Sequence, residues 1–229
     1  SWKAHWETTV LQDNQFATMG RSSYTISDYF VYLADTVSGL GGVNTDDVML
    51  DAAGGCGYLS MYYSPLVRTI DLFDYSEAAI NRAKQECQSF SNITAYVDNL
   101  LNLTETRKRD RLYSKILVGS PLAYFDNYDE IELILRNLFD VAQEGCRIFI
   151  AHTPDLTKRD AHIASYDALD WDEERKSRAI HQELNDRLWI EYNEVERLAQ
   201  AIGFSDCAET PIHSSLRQSK HMFDFYLVK

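Results

Sequence analysis

Residues 48–76 read VMLDAAGGCGYLSMYYSPLVRTIDLFDYS, and the rest of the chain arranges itself around them. The stretch opens on a short apolar run and passes through a crowd of small residues (Ala52, Ala53, Gly54, Gly55, Gly57). It continues with helix-compatible residues and closes on a second apolar run that ends in an acid. That order spells strand, tight loop, helix, strand. Glycine matters in such a loop because a residue without Cβ takes positive φ freely and lets the backbone approach a ligand. The helix that follows directs its amide ends at whatever lies above the loop and favours negative charge there. Asp74 follows Asp51 by 23 residues, close to the spacing of a ribose-binding carboxylate in a nucleotide-binding βαβ unit. The stretch therefore predicts a ligand that contains adenosine.

A dinucleotide loop usually reads GxGxxG and uses its glycines to approach a pyrophosphate. Here the loop reads DAAGGCG, and an acid at its head repels a pyrophosphate but suits the ammonium of a methionine moiety. At this point the chain resembles the class I S-adenosylmethionine-dependent methyltransferases, whose first motif is roughly D/E-x-G-x-G-x-G at the end of the first strand. Asp51, Gly55 and Gly57 match it, and Ala53 stands where the first glycine is expected. The family's second strand often ends D-x-S, matched by Asp74, Tyr75 and Ser76; an acid after its third strand is matched by Asp98 in TAYVDNLLNL. The resemblance covers residues 47–229. It implies S-adenosylmethionine as cofactor and S-adenosylhomocysteine as product. By the same resemblance Asp51, Ala53, Gly55 and Gly57 meet the methionine half, Asp74, Tyr75 and Ser76 the ribose, and Asp98 with Asn99 and Leu100 the adenine. Gly119, at the end of the fourth strand, completes that cofactor set.

The pattern predicts an α/β fold: a doubly wound, mostly parallel, seven-stranded sheet with helices on both faces and a C-terminal antiparallel hairpin. Strands are expected at 48–50, 69–73, 93–97, 116–118 and 147–151, the fourth apolar throughout (Ile116, Leu117, Val118) as befits a parallel strand covered on both sides. Helices are expected at 57–63, ended by Pro65, at 77–90, and at 128–142, stopped by Gly145. Residues 1–46 read as an N-terminal helical lid rich in aromatics (Trp2, Trp6, Phe16, Tyr24, Tyr29, Phe30, Tyr32). Its helix at 27–38 has Ser27 as cap and Tyr29, Phe30, Leu33, Ala34 and Val37 at helical spacing. The polar turn MGRSSY before it offers Arg21 to a ligand carboxylate. Residues 155–190 read as a helical cap insertion into the methyltransferase domain of residues 47–229. Its acids and bases form a solvated face, and Trp171, Ile180, Leu184, Leu188 and Trp189 form an apolar stripe. After a helix ended by Gly203, strands at 206–212 and 221–228 joined by a short turn make the hairpin.

Ligands of an open α/β sheet bind outside the carboxyl ends of the strands. Past the cofactor residues, this places GSPLAYF and HTPD at the methyl acceptor. Methyl transfer from a sulfonium needs donor and acceptor held in line, and a hydroxyl acceptor also needs its proton removed. His152, directly after the fifth strand, is the expected base, and Tyr124 is expected to line the acceptor site. N-methylating relatives carry N/D-P-P-Y/F where this chain has Ser120-Pro121-Leu122, a departure that argues against adenine or glutamine as acceptor. No metal site is expected.

With 45% hydrophobic and 25% charged residues, the composition is that of a globular protein. A net charge of −13 repels phosphate backbones, so nucleic acid is not an expected partner. The basic run Arg107, Lys108, Arg109 and Arg111 reads as a solvated loop. The cysteines at 56, 87, 146 and 207 show no metal-ligand spacing and read as reduced thiols. No apolar segment approaches a membrane span and the opening residues carry no signal-like pattern, so no membrane partner is expected and a cytoplasmic location is. The acceptor expected is a small biosynthetic intermediate, methylated on oxygen or nitrogen. The alternatives are a basic protein substrate and a non-catalytic subunit that only binds the cofactor. The sequence does not address oligomeric state.

Overall fold

The computed structural model describes residues 2–12 and 14–229, with side chains from His5 onward; the side chain of Trp2 lies outside the described set. The N-terminal segment contains α1 (Trp2–Thr9), α2 (Gln15–Thr18) and α3 (Ile26–Gly39). Helix α3 is capped two residues earlier than its sequence suggests, by Thr25 rather than Ser27. The Thr25 hydroxyl accepts from Asp28 N at 3.2 Å while the Asp28 carboxylate accepts from Thr25 N at 2.8 Å, a reciprocal capping box. The buried face of α3 is also rotated from the expected stripe: Tyr32, Leu33, Thr36 and Gly39 are inside, and Phe30 is 63% exposed. Polar contacts turn it, since Thr36 shares a 2.7 Å hydrogen bond with Tyr63 inside the core.

The core alternation follows as β1 (Val48–Ala52), α4 (Tyr58–Tyr63), β2 (Thr69–Asp74), α5 (Glu77–Glu86), β3 (Ile93–Val97), α6 (Thr104–Arg107), β4 (Tyr113–Gly119), α7 (Tyr128–Val141) and β5 (Ala142–Pro154). Residues 155–190 hold α8 (Arg159–Ala164) and α9 (Glu173–Asn185), and α10 (Tyr192–Ile202), β6 (Asp206–Thr210) and β7 (Met222–Val228) follow. The seven strands lie in the order β3-β2-β1-β4-β5-β7-β6. Strands β1 to β5 pair in parallel, and β7 runs antiparallel to both β5 and β6. The doubly wound sheet and closing antiparallel pair are as the sequence predicts.

Helices cover both faces, which is why Ile116, Leu117 and Val118 are fully buried. One face packs Ile116 and Val118 against Ile131, Leu135 and Leu138 of α7 and Val195 and Leu198 of α10. The other packs Leu117 and Phe149 against Tyr32 and Leu33 of α3 and Leu59 and Tyr63 around α4. Each such side chain contributes roughly 1.5–3 kcal/mol on burial.

Several boundaries and environments differ from expectation. Pro65 sits inside a 3-10 turn (Ser64–Leu66) that continues α4 rather than stopping it, and α5 ends at Glu86 rather than at 90. Helix α7 ends at Val141; Gly145, with φ 75°, lies within β5, where the register against β4 shifts. Strand β6 stops at Thr210, and residues 211–221 form no short turn. They run through a 3-10 turn (Arg217–Lys220) and tuck Ile212 and Leu216 into the core. The basic run is not simply solvated: Arg109 and Arg111 approach the fully buried Asp71 at 3.7 and 3.6 Å, and Tyr113 donates to that carboxylate at 2.7 Å. A buried carboxylate requires such partners. In α9, Leu184 is 52% exposed and Glu183 is buried instead. The reason is polar, because Glu183 pairs with Arg187 at 3.1 Å and accepts from the Tyr166 hydroxyl at 2.9 Å.

The four cysteines are free. Among the described residues no helix is long and apolar enough to cross a membrane, and no cluster of side chains has the makings of a metal site.

Candidate active site

In the turn after β1 every second residue is left-handed: Ala53, Gly55 and Gly57 take φ of 57°, 58° and 82°. Ala53 therefore adopts the conformation that its glycine counterpart takes freely, at a cost of roughly 1 kcal/mol. Gly57 begins α4, and a Cβ there would lie 2.8 Å from Cys87 Sγ, so this glycine seats α4 against α5. Around the turn the acids are held tightly. Asp51 is fully buried; its Oδ2 accepts from Ser60 Oγ at 2.6 Å, and its Oδ1 is buried with no partner among the described residues. Asp74 accepts from Gly55 N at 3.0 Å and Ser76 N at 2.9 Å, which clamps the turn to the end of β2. Burial pushes both carboxyls up to about 6, against the pull of the Ser60 hydrogen bond at Asp51 and of backbone N–H groups at Asp74. Ser76 caps α5, its Oγ accepting from Ala79 N.

These residues floor a cavity of about 1100 Å³, open mouth included, at the carboxyl ends of the strands. Of the residues singled out in the sequence, the structure brings Arg21, Asp51, Ala53, Gly55, Asp74, Tyr75, Ser76, Gly119, Tyr124 and His152 together around it. Gly57, Asp98, Asn99 and Leu100 are not in its lining. The Asp98 carboxylate is turned to its own chain, where Oδ2 accepts from Thr106 N and Oγ1, both at 2.7 Å, and Oδ1 from Asn99 N at 2.9 Å. The cause is local: α6 begins at Leu103, which has no capping side chain, so Asp98 satisfies the exposed amide end. Leu100 is buried in the core.

His152 sits at a break in the β5–β7 register with φ 54°, its N–H held by Asp224 Oδ1 at 2.5 Å and its carbonyl by Ser120 Oγ at 3.2 Å. The ring stacks on Tyr32 with centroids 4.8 Å apart. Arg21, itself buried and 4.3 Å above the same Tyr32 ring, brings NH2 within 3.0 Å of His152 Nδ1. A guanidinium only donates, so Nδ1 accepts and the ring proton resides on Nε2. Burial, then the nearby charges of Arg21 and His221, hold the imidazole well below its ordinary range. His152 is thus neutral and presents N–H. The base role expected of it would need a free lone pair, and here the one lone pair of the ring faces Arg21. Burial likewise raises Tyr124, whose ring meets Trp6 of α1 edge-on at 5.7 Å across the cavity.

Sequence reading missed Tyr32 and Arg187, which also line the cavity, and Asp224 beneath it. Arg187 carried no signal within a charged stretch. Asp224, fully buried and pushed up to about 7 by burial, did carry one, as the single acid interrupting MFDFYLV.

No protein-family model and no curated protein matches this sequence. Solved structures do match. The N-methyltransferase NodS from Bradyrhizobium japonicum WM9, in complex with S-adenosylhomocysteine, is 14% identical at TM-score 0.63, covering 99% of this chain and 97% of its own. Magnesium protoporphyrin IX methyltransferase (ChlM) from Synechocystis PCC 6803, with the same molecule bound, is 14% identical at TM-score 0.64, with coverage of 99% and 93%. The complex of DhpI with it is 15% identical at TM-score 0.64, with coverage of 98% and 93%. Identities this low speak for the architecture, and with the strand order and glycine turn above they give its class: the chain has the fold of the class I S-adenosylmethionine-dependent methyltransferases.

Proposed function

We propose that the protein is a methyltransferase that uses S-adenosylmethionine to methylate a small molecule. The observation that carries the reading is the presence around one cavity of Asp51 and Arg21, whose buried Oδ1 acceptor and Nε donor meet no partner among the described residues. Such a pair complements an ammonium and a carboxylate, the two ends of an amino acid. Asp74 at the end of β2 then faces the ribose hydroxyls, and the open side of Gly55, where a Cβ would meet nothing within 4 Å, leaves room above the turn. NodS and ChlM hold S-adenosylhomocysteine in the same fold, which supports this assignment.

When bound, the cofactor supplies a methyl group on a positively charged sulfur. The chain's residues bind and orient: Asp51 and Asp74 hold cationic and hydroxyl groups, Arg21 holds the carboxylate, and Tyr124 with Trp6 walls off the outer end of the cavity. Alignment of this kind supplies much of the acceleration of an in-line displacement. The α1 wall favours a small acceptor over a polymer, and the first 46 residues serve as a lid over the methyltransferase domain. Titration calorimetry with S-adenosylmethionine, S-adenosylhomocysteine and NAD tests the reading. Uptake of the first two in a 1:1 ratio is expected; preference for NAD, or no uptake, overturns it.

A further inference from the structure

Among the described residues that line it, the acceptor end of the cavity offers hydrogen-bond donors but neither a carboxylate nor an imidazole with a free lone pair. His152 Nε2, which carries the ring proton, is buried and meets no partner among the described residues. The same holds for Arg187 Nε, on the cap side of the cavity. The Arg187 guanidinium is fixed rather than free: it pairs with buried Glu183 at 3.1 Å, and Glu183 accepts from Tyr166 at 2.9 Å and takes Trp189 Nε1 on its carbonyl at 2.8 Å. The carboxylates that line the cavity, Asp51 and Asp74, lie at the ends of β1 and β2, on the cofactor side. Buried donors without acceptors are costly until a ligand supplies the missing oxygens.

Building on the methyltransferase reading, we infer that the acceptor is a small carboxylic acid and that its ionised carboxylate receives the methyl group. An alcohol or an ammonium must lose a proton to become nucleophilic, and among the described residues that line this end of the cavity none is a carboxylate or an imidazole with a free lone pair to take it. A carboxylate arrives with its lone pair available. One of its oxygens accepts from His152 Nε2 and Arg187, and the other attacks. That oxygen's lone pair forms the new O–CH3 bond, the C–S bond breaks with its electron pair left on sulfur, and no proton moves. The products are a methyl ester and the neutral thioether.

The test has two stages, read separately. Calorimetry with S-adenosylhomocysteine comes first, and failure there removes the methyltransferase reading whatever the acceptor. The S-adenosylhomocysteine complex is then titrated with benzoate, benzyl alcohol and benzylamine. In parallel, S-adenosylmethionine turnover on matched panels of acids, alcohols and amines is followed by mass spectrometry. Benzoate binding at least about tenfold tighter than the other two, with methyl esters as products, is expected. Arg187→Gln should weaken benzoate about tenfold, while Arg187→Lys retains most of the affinity and separates lost charge from lost folding. Absent benzoate binding, equal binding of the three probes, or transfer to alcohols or amines in preference to acids overturns the inference.

Discussion

Asp51 should restrain the empty protein's stability, and Asp51→Asn measures by how much. Its carboxyl is fully buried and pushed up to about 6 from an ordinary 3.8. A shift of about two units at 1.36 kcal/mol each makes the ionised form roughly 3 kcal/mol costlier in the folded than in the unfolded chain at pH 7.5. Asparagine keeps an oxygen for the Ser60 hydroxyl but accepts more weakly, which gives back about 1 kcal/mol. The net gain of about 2 kcal/mol corresponds to a Tm rise of roughly 4–8 °C in a chain of this size. Because the folded pKa is raised, the wild-type penalty is full above about 6 and disappears as pH falls toward 4. The gain should therefore be large at pH 7.5 and small at pH 4.5. The same variant should weaken S-adenosylmethionine by about 1–3 kcal/mol, since a neutral amide replaces the partner of the ammonium. Thermal melts at both pH values, with calorimetry at 7.5, check the argument. A variant that melts lower than wild type at pH 7.5, or binds the cofactor unchanged, refutes it.

Three further outcomes follow from the site. Asp74→Ala should weaken the cofactor by about 1–3 kcal/mol in calorimetry by leaving ribose hydroxyls without a charged acceptor, and an unchanged dissociation constant would contradict that role. Ala53→Gly should raise stability by about 0.5–1 kcal/mol in denaturant melts by relieving a left-handed alanine, whereas a loss would show that the turn is unstrained. His152 should give no inflection in the turnover profile between pH 5.5 and 8, because its imidazole stays neutral far below 6.5. His152→Ala should slow turnover with cofactor affinity kept; an inflection that vanishes in this variant would reinstate the imidazole as a base.

What the sequence reveals and what it hides divide along physical lines. The glycine turn and the spaced acids Asp51 and Asp74 were legible because positive φ and close approach leave few choices of residue, and the sheet followed from β1 outward. Asp98 was expected at the adenine from the family resemblance; in the structure its oxygens accept from Thr106 and Asn99 at the start of α6, a local contact that no motif announces. In α9 helical periodicity assigned Leu184 to the interior. The ion pair to Arg187 and the Tyr166 hydrogen bond bury Glu183 instead, and pairwise charge contacts leave no periodic trace. Residues 213–220 read as a short turn between strands at 206–212 and 221–228, because the apolar anchors Ile212 and Leu216 fall singly among polar neighbours.

The contact between Arg21 and His152 joins residues 131 positions apart and has a consequence for how the two ends of the chain share responsibility. The sheet determines where the imidazole stands, but its tautomer is dictated by an arginine that precedes the sheet altogether. Without Arg21 the Nδ1 atom would lose its donor and the charge that helps to hold the ring neutral. The chemical character of the cavity therefore rests on a residue that stands outside the sheet as much as on the strand that carries the imidazole.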